Sequence, residues 1–182
     1  MSKKRRNILL AFIIPALLFY VVFWISPVLM SFYYGLTNWR GMGDFDIVGM
    51  KNYANLIKQG TLFNSMGNTI KYTLFVVIWG NIQALALAMI LNMKLKARGV
   101  FRTIFYIPAL FSTIVVAFLW SYVYAPHYGM ISEIFNLFGS SNAPNLLGSK
   151  ATSLFAAAFV ETWKTSGTMT IIYLAGLQNI SE

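Results

Sequence analysis

Three long windows of this chain carry no Asp, Glu, Lys or Arg: Asn7 to Trp39, Tyr72 to Met93, and Thr103 to Ser132. About 20 predominantly apolar residues suffice for a helix to cross a bilayer, so each window is long enough. Lipid offers the backbone no hydrogen-bond partners, and a helix satisfies its own. The pattern predicts spans near residues 8–36, 69–91 and 103–124. The first is interrupted by Pro15 and Pro27 and exceeds the minimum length, which predicts a tilt or a kink. Pro108 falls in the first turns of the third. A fourth span is predicted near 152–177, although Glu161 and Lys164 stand close to its middle.

Between the spans, two segments keep a helical period. Asn52–Lys58 places Tyr53, Leu56 and Ile57 on one face, and Ile131–Phe138 does the same with Ile131, Ile134, Phe135 and Phe138. Both suit short helices at a membrane surface or packed over the spans. Tyr34, Trp39, Trp120, Tyr122 and Tyr124 fall near span ends, where aromatic side chains anchor helices at the interface.

Composition turns this pattern into a fold class. The 182 residues are 58% hydrophobic and 10% charged, against roughly 25% charged in an ordinary soluble domain. The expectation is an all-α, polytopic transmembrane helix bundle forming one domain over residues 1–182. The net charge of +9 does not indicate nucleic acid, because eight of the fourteen basic residues flank apolar windows. They are Lys3, Lys4, Arg5 and Arg6, then Lys94, Lys96, Arg98 and Arg102. Such short basic segments stay inside, which predicts a cytoplasmic N-terminus and places the segments around 37–68 and 125–151 outside. The apolar run after Arg6 is too long for a signal core and lacks a small-residue cleavage site, so it reads as an uncleaved first span. Cysteine is absent, which removes disulfide and thiolate chemistry.

No catalytic or cofactor constellation is present: there is no phosphate loop, dinucleotide fingerprint, zinc-protease or nucleophile-elbow motif. His127 is the one histidine and has no ligand-type neighbours in the sequence. The charged turn of the fourth span is the chemical feature that remains. Its eight Leu, Ile, Phe and Val residues contribute about −2.4 to −5 kcal/mol to insertion, whereas two central charges cost about +5 to +7. The helix must therefore turn its charged side to protein or water. Glu161, Lys164, Thr165 and Thr168 follow the i, i+3, i+4, i+7 spacing of one stripe. Glu161 and Lys164 are near enough to pair, and intramembrane ionisable residues characteristically face a pathway. A structural pair joining two helices is the alternative. Asn81 and Gln83 in the second span, with Ser112 and Thr113 in the third, suit bonds between helices first and a pathway second.

Five stretches in register carry a family resemblance: VGMKNYANLI from Val48, NTIKYT from Asn68, RGVFRTIFYIPA from Arg98, WSYVYAPHYG from Trp120, and Trp163 leading to LAGLQNI from Leu174. From about Ile8 onward the chain resembles the membrane-spanning permease subunits of binding-protein-dependent ABC importers, in the branch that takes up sugars, oligosaccharides and glycerol phosphate. The resemblance implies a multi-pass protein of the cell membrane that translocates a carbohydrate solute, without enzymatic activity or cofactor of its own. It implies a second permease subunit, cytoplasmic ATP-binding subunits and an extracytoplasmic solute-binding protein as partners. It also carries substrate contacts to Glu161, Lys164, Thr165 and Thr168, around Trp163. A subunit of an ion-coupled carrier, with Glu161 as relay, and a non-transporting scaffold or sensor are the competing readings. Permeases of this kind continue past Glu182 into a coupling loop and further spans. The expectation is therefore a fragment or truncated chain that does not couple ATP hydrolysis to transport.

Overall fold

A computed structural model describes residues 3–93, 96–140 and 143–179. Side chains are described from Ala11 onward, so the side chains of the first basic cluster lie outside the description, as do Lys94 and the closing residues 180–182 altogether. The chain divides into two compact units, residues 1–65 and 66–182, taken separately below.

In the first unit, α1 (Lys3–Tyr20) runs through a π-helical turn (Val21–Ile25) into α2 (Ser26–Gly35). The predicted interruption takes the form of this widened turn. Pro27 has no N–H for the preceding turn, and one extra residue per turn accommodates the missing bond without ending the helix. None of the apolar window Ala11–Gly35 is buried. Beyond α2 the chain folds back through a single antiparallel bridge, Thr37 with Ile47. Tyr34 and Trp39 stack at 4.3 Å, with Phe45 edge-on to both rings. Helix α3 (Lys51–Lys58) matches the expected amphipathic segment, and its Asn52 closes the end of α2. The Asn52 amide donates to the carbonyl of Gly35 (2.9 Å), an acceptor that the helix end leaves without a partner, and to that of Thr37 (2.7 Å) just beyond it. Gly60, at φ +68°, then separates α3 from α4 (Thr61–Asn92).

In the second unit α4 exceeds the predicted 69–91 span by eight residues at its start, because the mixed sequence of residues 61–68 continues the helix beyond the apolar window. The predicted single span at 103–124 is corrected. It is two helices, α5 (Arg98–Leu110) and α6 (Thr113–Val123), bent by 99° at Phe111–Ser112. Pro108 withholds one backbone N–H, and Ser112 adopts an extended conformation whose hydroxyl accepts from the Val115 N–H at 3.3 Å. A new helix thus starts where hydropathy alone sees continuity. Helix α7 (Met130–Leu137) follows a tight turn at Gly129, where an added Cβ would lie 2.5 Å from the Ala125 carbonyl oxygen. Helix α8 (Ser153–Gln178) agrees with the predicted 152–177.

Among the described residues there are only helices, turns and the one bridge. Two helices, Ala11–Gly35 and Thr61–Asn92, are long and apolar enough to cross a membrane, and the bent α5–α6 pair raises the number to three. Helix α8 is not among them, since its polar middle lowers its hydropathy.

The core of the second unit gathers on α8. Ala158, Thr162, Ser166, Thr170 and Leu174 recur every fourth residue and are all buried. The three hydroxyls among them donate to carbonyls of their own helix, at 2.7–2.8 Å, so no buried O–H is left open. Gly80, Ala84 and Ala88 form the matching small-residue face of α4, with Thr162 and Met169 beside Gly80. Small residues of this kind let helices associate where lipid offers no hydrophobic gain. Lower down, Ala88 and Leu91 of α4 pack with Leu174, flanked by Phe105, Tyr173 and Leu177. Asn81 fulfils its expected packing role by accepting a short hydrogen bond from the Tyr173 hydroxyl. Gln83 does not find an equivalent, and its side-chain oxygen is buried without a partner.

Candidate functional site

The buried ladder of α8 fixes what its other side can present. Rotated away from it, Glu161 and Lys164 are half-buried and line one cavity of about 290 Å³. The opposite wall comes from α6: Thr113, Val116, Ala117, Trp120, Ser121 and Tyr124 recur at helical spacing and share one face. Leu147, from the connection into α8, and Ala157 and Val160 of α8 complete the lining.

The two charges do not pair with each other, contrary to what their spacing allows. The Lys164 ammonium donates instead to the Thr113 hydroxyl at 2.8 Å, and among the described residues no ion pair joins it to Glu161. Thr113 is the first residue of α6, so the ammonium sits at the positive end of that helix. A cation there is disfavoured, and an acceptor entering the cavity is welcomed by both the lysine and the helix end. Glu161 lies within electrostatic range of the Tyr72 phenol on α4. Its carboxylate offers acceptor positions about one helical turn from the ammonium.

Trp120 forms the aromatic side. Its ring meets Trp163 at 5.4 Å and Phe159 at 5.7 Å, both edge-on, and Tyr124 at 5.1 Å. Trp120 and Tyr124 were expected as interface anchors. The structure corrects this. Tyr124 is 6% exposed and its hydroxyl donates to the Ala156 carbonyl at 3.2 Å, so it joins α6 to α8. Trp120 and Tyr124 also border a second cavity of about 390 Å³, with Phe155 and Phe159. The Trp120 indole Nε1 is buried without a hydrogen-bond partner. Tyr122, by contrast, is 61% exposed, as an anchor would be.

Of the four predicted contact residues, the structure brings Glu161 and Lys164 to the cavity and leaves Thr165 and Thr168 outside its lining. Thr165 turns its hydroxyl into the helix, donating to the Glu161 carbonyl at 2.8 Å. Thr168 is exposed, two turns along from Glu161 and next to Gly167, where α5 meets α8. A cavity stops where two backbones touch. Sequence reasoning ranked Thr113 as packing and passed over Ser121. Their common stripe with Trp120 and Tyr124, at i, i+7, i+8 and i+11, was the available signal. No cluster of three or more His, Cys, Asp or Glu able to hold a metal occurs among the described residues.

No family model matches the sequence. Individual proteins do. The trehalose/maltose transport system permease protein MalF of Thermococcus litoralis is 34% identical over 171 residues, covering 93% of this chain and 58% of that protein. The multiple sugar-binding transport system permease protein MsmF of Streptococcus mutans is 31% identical over 170 residues, with the same two coverages. In fold, the chain is similar to a bacterial ABC transporter that imports the acidic polysaccharide alginate. That match has a TM-score of 0.78 at 20% identity and covers 98% of this chain and 60% of that one. The chain spans somewhat under two thirds of the length of these relatives. It is a homologue of the permease proteins of sugar ABC importers.

Proposed function

We propose that the chain works in the cell membrane as a permease subunit of an ATP-driven importer for a carbohydrate. In this reading α1–α2, α4, the bent α5–α6 pair and α8 make four crossings, with the N-terminus in the cytoplasm. The whole of residues 1–182 then belongs to one transmembrane domain. A second permease, cytoplasmic ATP-binding subunits and an external solute-binding protein are its partners. An alginate ABC transporter of similar fold is described in complex with a pentasaccharide-bound periplasmic protein, which supports the last of these.

One observation carries the reading. In a chain whose relatives are sugar permeases, a carboxylate and an ammonium face one cavity opposite a tryptophan without neutralising each other. A sugar hydroxyl both donates and accepts, so it can bond to Glu161 and Lys164 together. The apolar face of a sugar ring can lie against Trp120, which lines the same cavity. The polar turn also explains the low hydropathy of α8: its charges face the cavity, where the cost of burying them in lipid does not arise.

The test is carbohydrate uptake by cells carrying Glu161→Gln or Lys164→Met, with membrane abundance of the protein measured in parallel. Uptake is expected to fall tenfold or more at unchanged abundance, while Thr168→Ala stays near wild type. Undiminished uptake in both charge variants would refute the assignment of the cavity. Uptake abolished by an ionophore while ATP is maintained would favour an ion-coupled carrier.

A further inference from the structure

At the far end of α8 from Glu161, two arginines of α5 converge on one residue. With the Gln178 side-chain oxygen turned toward them, it accepts from Nη2 of Arg98 and, at 2.9 Å, from Nη2 of Arg102. Arg98 also reaches the Asn92 side-chain oxygen at 3.4 Å. These contacts use a few of the five N–H donors on each guanidinium, and the Nε of both is buried without a partner. The five acids of the chain are Asp44, Asp46, Glu133, Glu161 and Glu182, and among the described residues none forms an ion pair with either arginine. Among the described residues, two cations are thus held side by side without an anion.

Beside them is a cavity of about 250 Å³ lined by Arg102, Gln178, Ile171, Leu174 and Ala175. It is polar at one end and apolar along α8. Its level relative to a bilayer follows from α4. This helix is apolar enough to cross a membrane and ends at Asn92, the residue Arg98 touches. The arginines therefore stand where a crossing helix leaves the hydrocarbon.

We infer that Arg98 and Arg102 form a binding site for the phosphate of an anionic phospholipid headgroup, with an acyl chain lying along Ile171 and Ala175. The planar guanidinium fork matches phosphate oxygens in pairs, which an ammonium cannot do. Free phosphate shares that chemistry but has no use for the apolar end of the cavity. The lipid uses both ends, and basic side chains at this level attract anionic headgroups. Since Gln178 closes α8, the bound headgroup would hold the base of the helix that carries Glu161 and Lys164.

The experiment compares binding of phosphatidylglycerol, phosphatidylcholine and inorganic phosphate to the whole chain purified in a neutral detergent, read by native mass spectrometry and by thermal shift. Phosphatidylglycerol is expected to bind at least tenfold more tightly than phosphatidylcholine and to raise the melting temperature. The double variant Arg98→Gln/Arg102→Gln should weaken that binding roughly 25-fold, from about fivefold per basic side chain. Arg98→Lys/Arg102→Lys should keep the preference at lower affinity, and Gln178→Ala should preserve it. If inorganic phosphate alone reproduces the shift, the anion site stands and its source is water. Should the glutamine variant fail to fold, hydrogen exchange on the wild type decides: lipid must protect residues 98–102. No preference between the two lipids, a preference that survives the glutamine variant, or protection confined to other segments would overturn the site.

Discussion

Replacing Gly167 by alanine sets one methyl group against the backbone of another helix. An ideal Cβ at position 167 would lie 2.2 Å from the Phe105 carbonyl oxygen and 2.7 Å from the Tyr106 Cα. Ordinary contact begins near 3.4 Å, so α5 must retreat from α8 by about 1.2 Å. Main-chain atoms cannot swing aside as a side chain could, so the strain falls at the upper end of the about 1–3 kcal/mol typical of overpacking. A gap of 0.5–1 Å elsewhere along the contact forfeits roughly a quarter to a half of the local dispersion energy. Against this stands a gain of about 1 kcal/mol from removing a helical glycine. The net is a loss of about 2 kcal/mol or more.

Gly176 lies on the same helix, and its added Cβ would meet nothing within 4 Å. There alanine should gain about 0.5–1 kcal/mol. At about 2–4 °C per kcal/mol for a chain of this size, thermal melts in detergent should move in opposite directions, down by about 4–8 °C for Gly167→Ala and up by about 1–4 °C for Gly176→Ala. A Gly167→Ala protein that melts at or above wild type would refute the close approach of α5 and α8. Both variants moving down together would show that the contrast between the two sites is wrong.

Three further outcomes follow from single hydrogen bonds. Tyr173→Phe removes the donor to Asn81 and should cost about 0.6 kcal/mol, up to about 1.7, as bonds between membrane helices do, measured by the same melts. Tyr124→Phe frees the Ala156 carbonyl inside the α6–α8 contact and should cost about 1 kcal/mol, with faster hydrogen exchange in α6 than in α4. Asn52→Ala leaves the carbonyls of Gly35 and Thr37 without their amide donor and should cost about 1–2 kcal/mol. Proteolysis between Leu36 and Met50 reports that loss, and an unchanged cleavage rate would count against the cap.

The elements that hydropathy and helical period specify were legible. The long apolar helices Ala11–Gly35 and Thr61–Asn92, the short helices α3 and α7, and the bounds of α8 all follow from side-chain pattern. The break at Phe111–Ser112 was not legible, because it rests on backbone conformation within an unbroken apolar run. Pro108 and Ser112 are each tolerated inside membrane helices, so neither residue by itself announces a 99° bend. The site was half legible. Periodicity singles out Glu161 and Lys164, yet it cannot say that Thr165 spends its hydroxyl on the helix backbone or that α5 meets α8 beside Thr168. The partner of Lys164 was hidden for the same reason as the bend: Thr113 faces the lysine because a new helix begins there.

That bend has one more effect. An uninterrupted helix hides its amides from hydrocarbon, but a helix cut in two exposes the last carbonyls of one piece and the first N–H groups of the next. Acyl chains cannot satisfy them, so in a pair that enters a bilayer the elbow between α5 and α6 has to meet water or other protein. Wherever the chain is inserted, the corner at Phe111 and Ser112 marks where the membrane is locally not oil.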